Sequence, residues 1–143
     1  MPTPRIKATS ARSKQMSCIR SKDTKPEMMV RRALHRLGFR FRLHVRSLPG
    51  CPDIVMPKYQ TIIQVKGCFW HGHTCRGGRI PKSNKAYWIP KLLQNVKRDH
   101  ANERKLRHLG WSVHSIWECR LRRYDRVGLE TMLLKIIGVN RLA

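Results

Sequence analysis

A loop rich in cysteine, histidine and aromatic residues directly follows a β-branched segment near the middle of the chain. Residues 61–66 read Thr-Ile-Ile-Gln-Val-Lys, and residues 67–75 read Gly-Cys-Phe-Trp-His-Gly-His-Thr-Cys. The first segment predicts a strand with Gln64 and Lys66 on one face and Val65 on the other. Thiol and imidazole groups bind metal ions, and an imidazole can also transfer protons near neutral pH. We therefore predict that the strand carries part of a hydrolytic centre and the loop part of a metal site.

The metal site is predicted from residues in two parts of the chain. Cys68, His73 and Cys75 follow the spacing C-x4-H-x-C, and Cys119 could add a thiolate from the end of a later strand. Three cysteines and one histidine form a normal closed set for structural Zn²⁺. Free buried cysteines are the alternative. Spacing alone does not distinguish His73 from His71, and the histidine left outside the zinc site is suited to act as a general acid or base.

The hydrolytic centre is predicted from residues on neighbouring strands. Asp53 starts one strand, and the triplet Gln64-Val65-Lys66 ends the next. Phosphodiester hydrolysis needs a cation to neutralise developing charge and a group to activate water. We predict that Asp53 and the Val65 carbonyl bind the cation. Lys66 is predicted to contact the phosphate or the attacking water. Mg²⁺ keeps several waters, so a site with few protein ligands suits it. A plain strand-start carboxylate is the alternative for Asp53.

The charge of the chain indicates its partner. Its 143 residues include 31 lysines and arginines against 8 aspartates and glutamates, which gives a formal charge of +23. Such an excess repels itself unless a polyanion neutralises it, so nucleic acid is the expected partner, although charge alone also fits a merely basic protein. No apolar run approaches the roughly 20 residues that span a bilayer, and the N-terminus has no apolar signal core. We expect a cytoplasmic location.

Aromatic and basic residues outside these sites predict the DNA contacts. Phe69, Trp70 and Trp88 could enter the duplex between base pairs and kink it, although core packing is the ordinary role of such residues. Residues 1–20 are basic and aperiodic, so we predict a flexible arm there, ahead of a single domain at 21–143. A tail without a role is the alternative. Arg12, Lys14 and Arg20 of the arm are assigned to phosphates, whereas Asn95, Arg98 and Asp99 could contact DNA or support the centre from a helix.

Hydrophobic periodicity predicts an α/β fold. Helices are expected at 24–37, 86–109 and 127–137, and strands at 39–45, 51–56, 61–66 and 111–117. The first three strands should form a meander, and the whole a four-stranded mixed sheet flanked by helices. The long helix should pack through Ile89, Leu92, Leu93 and Val96, with Pro90 in its first turn. Thr24 and Glu27 have the spacing of a capping box, and spacing alone favours a cap over a catalytic role for Glu27.

Several motifs resemble the very short patch repair endonucleases. They are Leu48-Pro-Gly-Cys-Pro-Asp-Ile-Val55, Gly67-Cys-Phe-Trp-His-Gly-His-Thr-Cys75, Asn95-Val-Lys-Arg-Asp99, and Leu109-Gly-Trp111 followed by Ile116-Trp-Glu-Cys119. They stand in the family's order and cover most of the chain. The resemblance implies a restriction-endonuclease-like fold and a Mg²⁺-dependent nick beside the thymine of a T:G mismatch, which arises by deamination of 5-methylcytosine. It also implies a monomer that acts on double-stranded DNA at the bacterial nucleoid, with mismatch-repair proteins as partners.

The resemblance assigns roles by position. It implies that Asp53 binds Mg²⁺ together with the Val65 backbone carbonyl, that His71 is the catalytic histidine, and that Glu27 is a catalytic glutamate that can also cap its helix. The implied zinc ligands are Cys68, His73, Cys75 and Cys119, and the implied DNA wedge is Phe69, Trp70 and Trp88.

Gln64 and Lys66 depart from the family pattern. The Gln-x-Lys triplet is similar to the wider nuclease superfamily, where the first position is usually Glu or Asp. Glutamine is neutral and a poorer cation ligand. We therefore include Gln64 and Lys66 among the predicted catalytic residues and keep two alternatives. One is a nuclease of the same fold that cuts junctions or a duplex sequence without a mismatch, and the other is a catalytically weakened, zinc-containing DNA-binding protein.

Overall fold

The computed structural model of the protein describes residues 24–75, 78–80 and 82–138, so the predicted arm with Arg12, Lys14 and Arg20 lies outside the described residues. The helices are α1 (Lys25–Arg36), α2 (Lys85–His108), α3 (Glu118–Leu121) and α4 (Arg126–Ile137). The strands are β1 (Arg42–Leu43), β2 (Ile54–Met56), β3 (Thr61–Lys66) and β4 (Ser112–Trp117). Within these ranges, no helix combines the length and the apolar character needed to cross a bilayer.

The strands form one mixed sheet in the order β1-β2-β3-β4. β1, β2 and β3 pair antiparallel, which confirms the predicted meander, and β4 pairs parallel to β3. A parallel pair requires a crossover, and α2 lies in that connection. The register sets Gln64 opposite Ser115 and Lys66 opposite Trp117. The ends of β3 and β4 therefore reach the same edge of the sheet.

Helices cover both faces of this sheet, as predicted. Alternation along β3 sends Ile63 into one apolar cluster and Ile62 into another. The larger cluster joins the sheet to α1 and α4 and includes Val30, Leu34, Ile54, Ile63 and Leu133. The smaller cluster joins the other face to α2 and consists of Val55, Ile62, Leu106 and Val113.

Local sequence explains where α1 and α4 begin. The Thr24 hydroxyl accepts a hydrogen bond from the Glu27 N–H at 3.3 Å, which is one half of the predicted capping box. The Asp125 carboxylate accepts from the Gly128 N–H at 2.7 Å at the start of α4. Both caps fix helices that pack on the same face of the sheet.

Two strands are shorter than predicted because left-handed residues precede or follow them. The strand expected at 39–45 pairs only at Arg42–Leu43, since His44 has a φ of 47°. The strand expected at 51–56 starts at Ile54, and Cys51 also has a φ of 47°. Residues in this conformation leave the extended path of a strand. The departure at His44 turns its side chain into the site described below.

The predicted packing face of the long helix is partly wrong. Leu92 is buried, but Ile89 and Leu93 are 40% and 62% exposed. Leu106, near the other end of α2, supplies the second buried contact. Pro90 lies in the second turn of the helix rather than the first, where its missing N–H leaves one carbonyl without its helical donor.

Candidate functional site

Three ionisable side chains meet where α1, β1 and β2 come together. Glu27, His44 and Asp53 each offer a ligand atom, and these atoms lie within 4.8 Å of one another. His44 Nε2 is 3.1 Å from Glu27 Oε1, and His44 Nδ1 is 3.8 Å from Asp53 Oδ1. The Glu27 side chain is 1% exposed and that of Asp53 is 15% exposed. The Glu27 and Asp53 carboxylates, with His44 between them, could therefore hold a metal ion.

Asp53 is anchored to the end of β3, as the sequence predicted for neighbouring strands. Its Oδ2 accepts a hydrogen bond from the Val65 N–H at 2.9 Å. Burial raises the pKa of Asp53 to about 7, the Val65 N–H opposes the rise, and the nearby Glu27 carboxylate adds to it. A cation beside Asp53 would favour the ionised form. The Val65 carbonyl stays a predicted ligand.

His71 pairs with Asp99 of α2. The distance from His71 Nδ1 to Asp99 Oδ2 is 2.5 Å, and both side chains are mostly buried. Such a contact fixes the orientation of the imidazole and leaves Nε2 for proton transfer. Asp99 also acts electrostatically on Asp53. Both groups adjoin the end of β3, because Asp53 is hydrogen-bonded to Val65 and the loop that carries His71 follows Lys66 directly.

The loop that carries His71 is fixed against α2. The Asn95 side-chain amide donates a hydrogen bond to the Trp70 carbonyl at 3.1 Å. Gly72, at a φ of 65°, lies so near α2 that an added Cβ would come within 2.8 Å of the Val96 side chain. Asn95 thus supports the loop, which was one of its two predicted roles. Its contact with DNA stays a prediction.

Lys66 forms a buried ion pair that the sequence analysis missed. Its Nζ lies 2.7 Å from Glu103 Oε1 on α2, and Ser115 donates a hydrogen bond to the same oxygen at 3.3 Å. Burial alone would raise the pKa of Glu103, but the Lys66 ammonium and the Ser115 hydroxyl outweigh it and hold that pKa below its usual value. Lys66 also acts electrostatically on Asp53. Gln64, half-buried, pairs in register with Ser115 beside this group.

The four predicted zinc ligands gather in one cluster. Cys68, His73, Cys75 and Cys119 offer ligand atoms within 4.8 Å of one another. Cys119 Sγ lies 3.6 Å from His73 Nδ1, and the Cys119 N–H donates to Cys68 Sγ at 3.4 Å. Cys119 stands in the short helix α3 rather than at the end of a strand. Among the two loop histidines, His73 belongs to this cluster and His71 to the other site.

The thiols of this Cys–His cluster differ in acidity. Burial raises the pKa of Cys68 to about 12. The side chain of His73 lowers the pKa of Cys75 to about 6. Trp117 covers the cluster, since its ring stacks on His73 with centroids 4.2 Å apart, and it also lies 6.5 Å from the His71 ring. The Cys–His cluster therefore adjoins the His71 site through one aromatic ring.

The three predicted wedge residues form one aromatic cluster. Ring centroids of Phe69 and Trp70 are 5.1 Å apart, those of Phe69 and Trp88 are 5.2 Å apart, and those of Trp70 and Trp88 are 5.9 Å apart. Trp70 is 51% exposed. Lys91 Nζ lies 6.0 Å from the Trp70 ring centre, so a positive charge accompanies the exposed ring. Core packing does not account for a tryptophan this exposed.

The structure thus joins most predicted site residues and leaves others apart. Glu27 and Asp53 share one group of ligand atoms, Asp53 is hydrogen-bonded to Val65 beside Lys66, and His71 follows in the next loop. The Cys–His cluster and the aromatic cluster include other residues of that loop. Arg98 is exposed on α2. Lys14 and Arg20 lie outside the described residues. A carboxylate pair, a histidine–aspartate pair and a buried lysine are together suited to phosphoryl chemistry.

Sequence analysis missed His44 and Glu103. His44 falls in a run of alternating residues, where it reads as the outward position of a strand. Glu103 had a usable signal, because Asn95, Asp99 and Glu103 recur every four residues and so line one face of a helix. All three turn out to contact the loop or β3.

Several known proteins are similar to this chain in sequence. Residues 6–77 match the family model described as DNA mismatch endonuclease Vsr. The chain is 48% identical over 122 residues to the Type II nicking enzyme V.XorIIP of Xanthomonas oryzae pv. oryzae, covering 85% of this chain and 88% of that protein. It is 39% identical over 123 residues to the DNA mismatch endonuclease Vsr of Escherichia coli, covering 86% of this chain and 79% of that protein. The chain belongs to the DNA mismatch endonuclease Vsr family and is an endonuclease of DNA repair that nicks its substrate.

Proposed function

We propose that this endonuclease makes a Mg²⁺-dependent nick beside the thymine of a T:G mismatch, the product of 5-methylcytosine deamination, and acts as a monomer on double-stranded DNA. One observation carries the proposal. The Asp53 carboxylate lies within 4.8 Å of a Glu27 ligand atom and is hydrogen-bonded to Val65, next to Lys66 at the end of the strand that leads into the loop with His71. This arrangement supports a cation site at Asp53 and Glu27, with His71 for proton transfer and Lys66 for the phosphate.

Each residue has a distinct task in the proposed chemistry. Asp53, Glu27 and the Val65 carbonyl would hold Mg²⁺, which when bound neutralises charge on the scissile phosphate. His71 moves a proton at Nε2, and Asp99 keeps its ring oriented. Lys66 donates to a phosphate oxygen or to the attacking water. Gln64 contributes a neutral polar group beside Lys66, so the carboxylates come from Asp53 and Glu27.

The Cys–His cluster fits structural Zn²⁺. Zinc bonds of about 2.3 Å to sulfur and about 2.0–2.1 Å to nitrogen, set at a tetrahedral angle, place the two ligand atoms about 3.6 Å apart. The separation of Cys119 Sγ and His73 Nδ1 is 3.6 Å. Cys68 and Cys75 would complete the closed site. Zinc there ties the loop to α3 and supports the position of His71.

The aromatic cluster is the proposed mismatch reader. A T:G step is more weakly stacked and paired than its neighbours, so it opens at a lower cost when aromatic rings enter the duplex. Trp70, Phe69 and Trp88 supply the rings. Asn95, Arg98, Lys14 and Arg20 are the proposed contacts to DNA, with the arm at 1–20 preceding a single domain at 21–143. We also infer a restriction-endonuclease-like fold from the mixed sheet and its flanking helices.

A related function is favoured by one observation. Lys66 is held in place by Glu103 beside Gln64, which gives this chain an ordered Gln-x-Lys triplet. A nuclease of the same fold that cleaves matched or branched DNA would use the same residues. The choice between the two functions depends on the substrate and not on the chemistry.

Single-turnover nicking tests the proposed chemistry. Enzyme in excess is mixed with a labelled duplex that carries one T:G mismatch in pooled sequence contexts, with and without Mg²⁺. We expect a break in the thymine strand only with Mg²⁺, and we expect the Asp53→Asn enzyme to bind the duplex but not to nick it. Nicking that persists without Mg²⁺, or at an undiminished rate in Asp53→Asn, would overturn the proposal.

A further inference from the structure

His44 stands between the two carboxylates that the proposed Mg²⁺ site uses. Its two ring nitrogens face different partners: Nε2 lies 3.1 Å from Glu27 Oε1, and Nδ1 lies 3.8 Å from Asp53 Oδ1. The His44 side chain is 7% exposed, so solvent has little access to either contact. No motif and no predicted role singled out this residue. Its position follows from the fold alone.

The backbone of His44 serves the same arrangement. Its N–H donates a hydrogen bond to the Asp53 carbonyl at 3.1 Å, which fixes the chain just before β2. Its φ of 47° lies in the left-handed region, where non-glycine residues are uncommon and cluster at functional sites. This conformation ends β1 and turns the imidazole toward α1. A regular strand would have carried the side chain elsewhere.

The contacts form a continuous chain from helix to sheet. Arg31 Nη1 lies 3.7 Å from Glu27 Oε2, His44 faces Glu27 Oε1, and Val65 donates to Asp53 Oδ2. Glu27 belongs to α1 and Asp53 to the segment before β2, so the two carboxylates sit on separate elements. Two carboxylates at close range also repel each other. An imidazole wedged between them keeps the two side chains apart at a fixed distance.

We propose that His44 is a positioning residue of the nicking centre, which holds Glu27 and Asp53 ready to bind one divalent cation together. The inference rests on the proposed Mg²⁺ site and adds a residue to it. In this role His44 orients the two carboxylates and is not itself a ligand, since its Nε2 is engaged by Glu27 Oε1. Losing the imidazole weakens cation binding, since the two carboxylates must then be brought together by the cation itself.

Substitutions at His44 separate side chain from backbone. His44→Gly removes the imidazole and accepts the left-handed conformation. His44→Asn also tolerates that conformation, but its amide is too short to reach Glu27. His44→Gln carries an amide at about the distance of Nε2 and can restore the Glu27 contact. Gln60→Gly is the matched control, since Gln60 is another left-handed residue, with a φ of 48°, at the opposite end of β3.

Mn²⁺ binding without DNA, followed by electron paramagnetic resonance, supplies a readout besides activity. The dissociation constant for Mn²⁺ is compared between the wild-type protein and each variant. The thermal midpoint and the zinc content of each protein are measured alongside to show that it is folded. We expect His44→Gly and His44→Asn to weaken Mn²⁺ binding about 10- to 100-fold, as is typical when a residue that orients a metal ligand is lost. His44→Gln should recover most of the affinity, and Gln60→Gly should leave it unchanged.

The outcomes distinguish this inference from the proposed function. If the wild-type enzyme nicks T:G duplex with Mg²⁺ while His44→Gly binds Mn²⁺ normally, the positioning role is overturned and the proposed function stands. A nitrogen coupling to bound Mn²⁺ that disappears in His44→Gly would also overturn it, because His44 would then be a ligand. Loss of folding in both His44→Gly and His44→Asn would make the role structural. If the Asp53→Asn variant binds Mn²⁺ as tightly as the wild-type protein, both the positioning role and the proposed metal site are overturned.

Discussion

Asp53 is a buried carboxylate whose ionised form is disfavoured, because desolvation raises its pKa to about 7. A carboxylate must be ionised to bind a cation strongly. The ionised form that destabilises the folded protein is therefore the form that the proposed metal site needs. Val65 and Lys66 offset part of the cost by a hydrogen bond and by charge. The consequence is a measurable dependence of stability on pH.

Without added divalent cation, Asp53→Asn is expected to raise the thermal midpoint at pH 8. The folded pKa lies above the unfolded value of 3.8, so the stability contributed by Asp53 is fully present below pH 3.8 and is lost as the pH rises to about 7. The difference at pH 8 should be on the order of a few kcal/mol. Thermal unfolding of both proteins between pH 4 and pH 8 checks this, and a difference that does not change with pH would contradict it.

His71 and Asp99 should act as a unit in catalysis. His71→Ala is expected to slow single-turnover nicking about 100- to 10,000-fold, the range typical of a lost general acid or base. Asp99→Asn should slow it less, because the imidazole remains but is poorly oriented. The double variant should be no slower than His71→Ala, as measured on one T:G duplex at saturating enzyme. Additive losses would show that Asp99 acts independently of His71.

Glu103 should matter for stability because it partners a buried ammonium. The Lys66 side chain is 8% exposed and that of Glu103 is 13% exposed. Glu103→Gln leaves the charge of Lys66 without its partner, which costs about 3–5 kcal/mol when a pair is buried. Urea unfolding at pH 7 measures the loss. In the Lys66→Met/Glu103→Gln double variant most of the stability should return, and a double variant as unstable as Glu103→Gln would refute the ion pair.

At the scale of elements, the loop at 67–75 is held by two anchors. Asn95 and Val96 hold it on α2, and the Cys–His cluster joins it to α3. β3 carries Lys66 into the loop and β4 carries Trp117 beside it. The short loop therefore holds His71 against Asp99 and leaves Trp70 exposed to solvent. A metal ion in the cluster would lock that arrangement.

Cys119→Ser is expected to lose most of the bound zinc, which should be near one ion per wild-type chain, and to lower the thermal midpoint. The reason is that Cys119 is the proposed ligand on α3, whereas the other three proposed ligands lie in the loop. Inductively coupled plasma analysis and thermal unfolding measure both effects. Cys51→Ser is the matched control, because Cys51 lies outside the Cys–His cluster. Equal zinc and equal stability in the two variants would contradict a structural zinc site.

Sequence alone predicted the elements better than their contacts. The periodicity of residues 61–66 gave β3 with its correct bounds, and the Gly-Cys-Phe-Trp-His run led to the correct family. The residues around His44 show why the rest was missed. Alternation predicted a strand to residue 45, whereas local backbone geometry ends it at Leu43. Ile89 and Leu93 match a helical core period but are 40% and 62% exposed, because α2 buries Leu92 and Leu106 instead.

At the scale of the whole molecule, the net charge and the exposed aromatic cluster both suit a DNA substrate. A formal charge of +23 supplies affinity for any DNA and no choice among sequences. The proposed source of selectivity is the aromatic cluster, where Trp70 is exposed beside Lys91. In the proposed mechanism, the centre at the end of β3 then acts on a phosphate close to this cluster. In this proposal the basic surface supplies DNA affinity, the aromatic cluster supplies mismatch selectivity, and the centre at the end of β3 supplies strand cleavage.

The most direct test of this account is the ratio of single-turnover nicking rates on a T:G duplex and on the matched T:A duplex, with Mg²⁺ and pooled sequence contexts. We expect the T:G duplex to be nicked at least about tenfold faster, which requires only about 1.4 kcal/mol of selectivity, and only in the thymine strand. Equal rates on both duplexes, or breaks in both strands, would contradict mismatch-directed repair and favour a nuclease of the same fold with another DNA substrate.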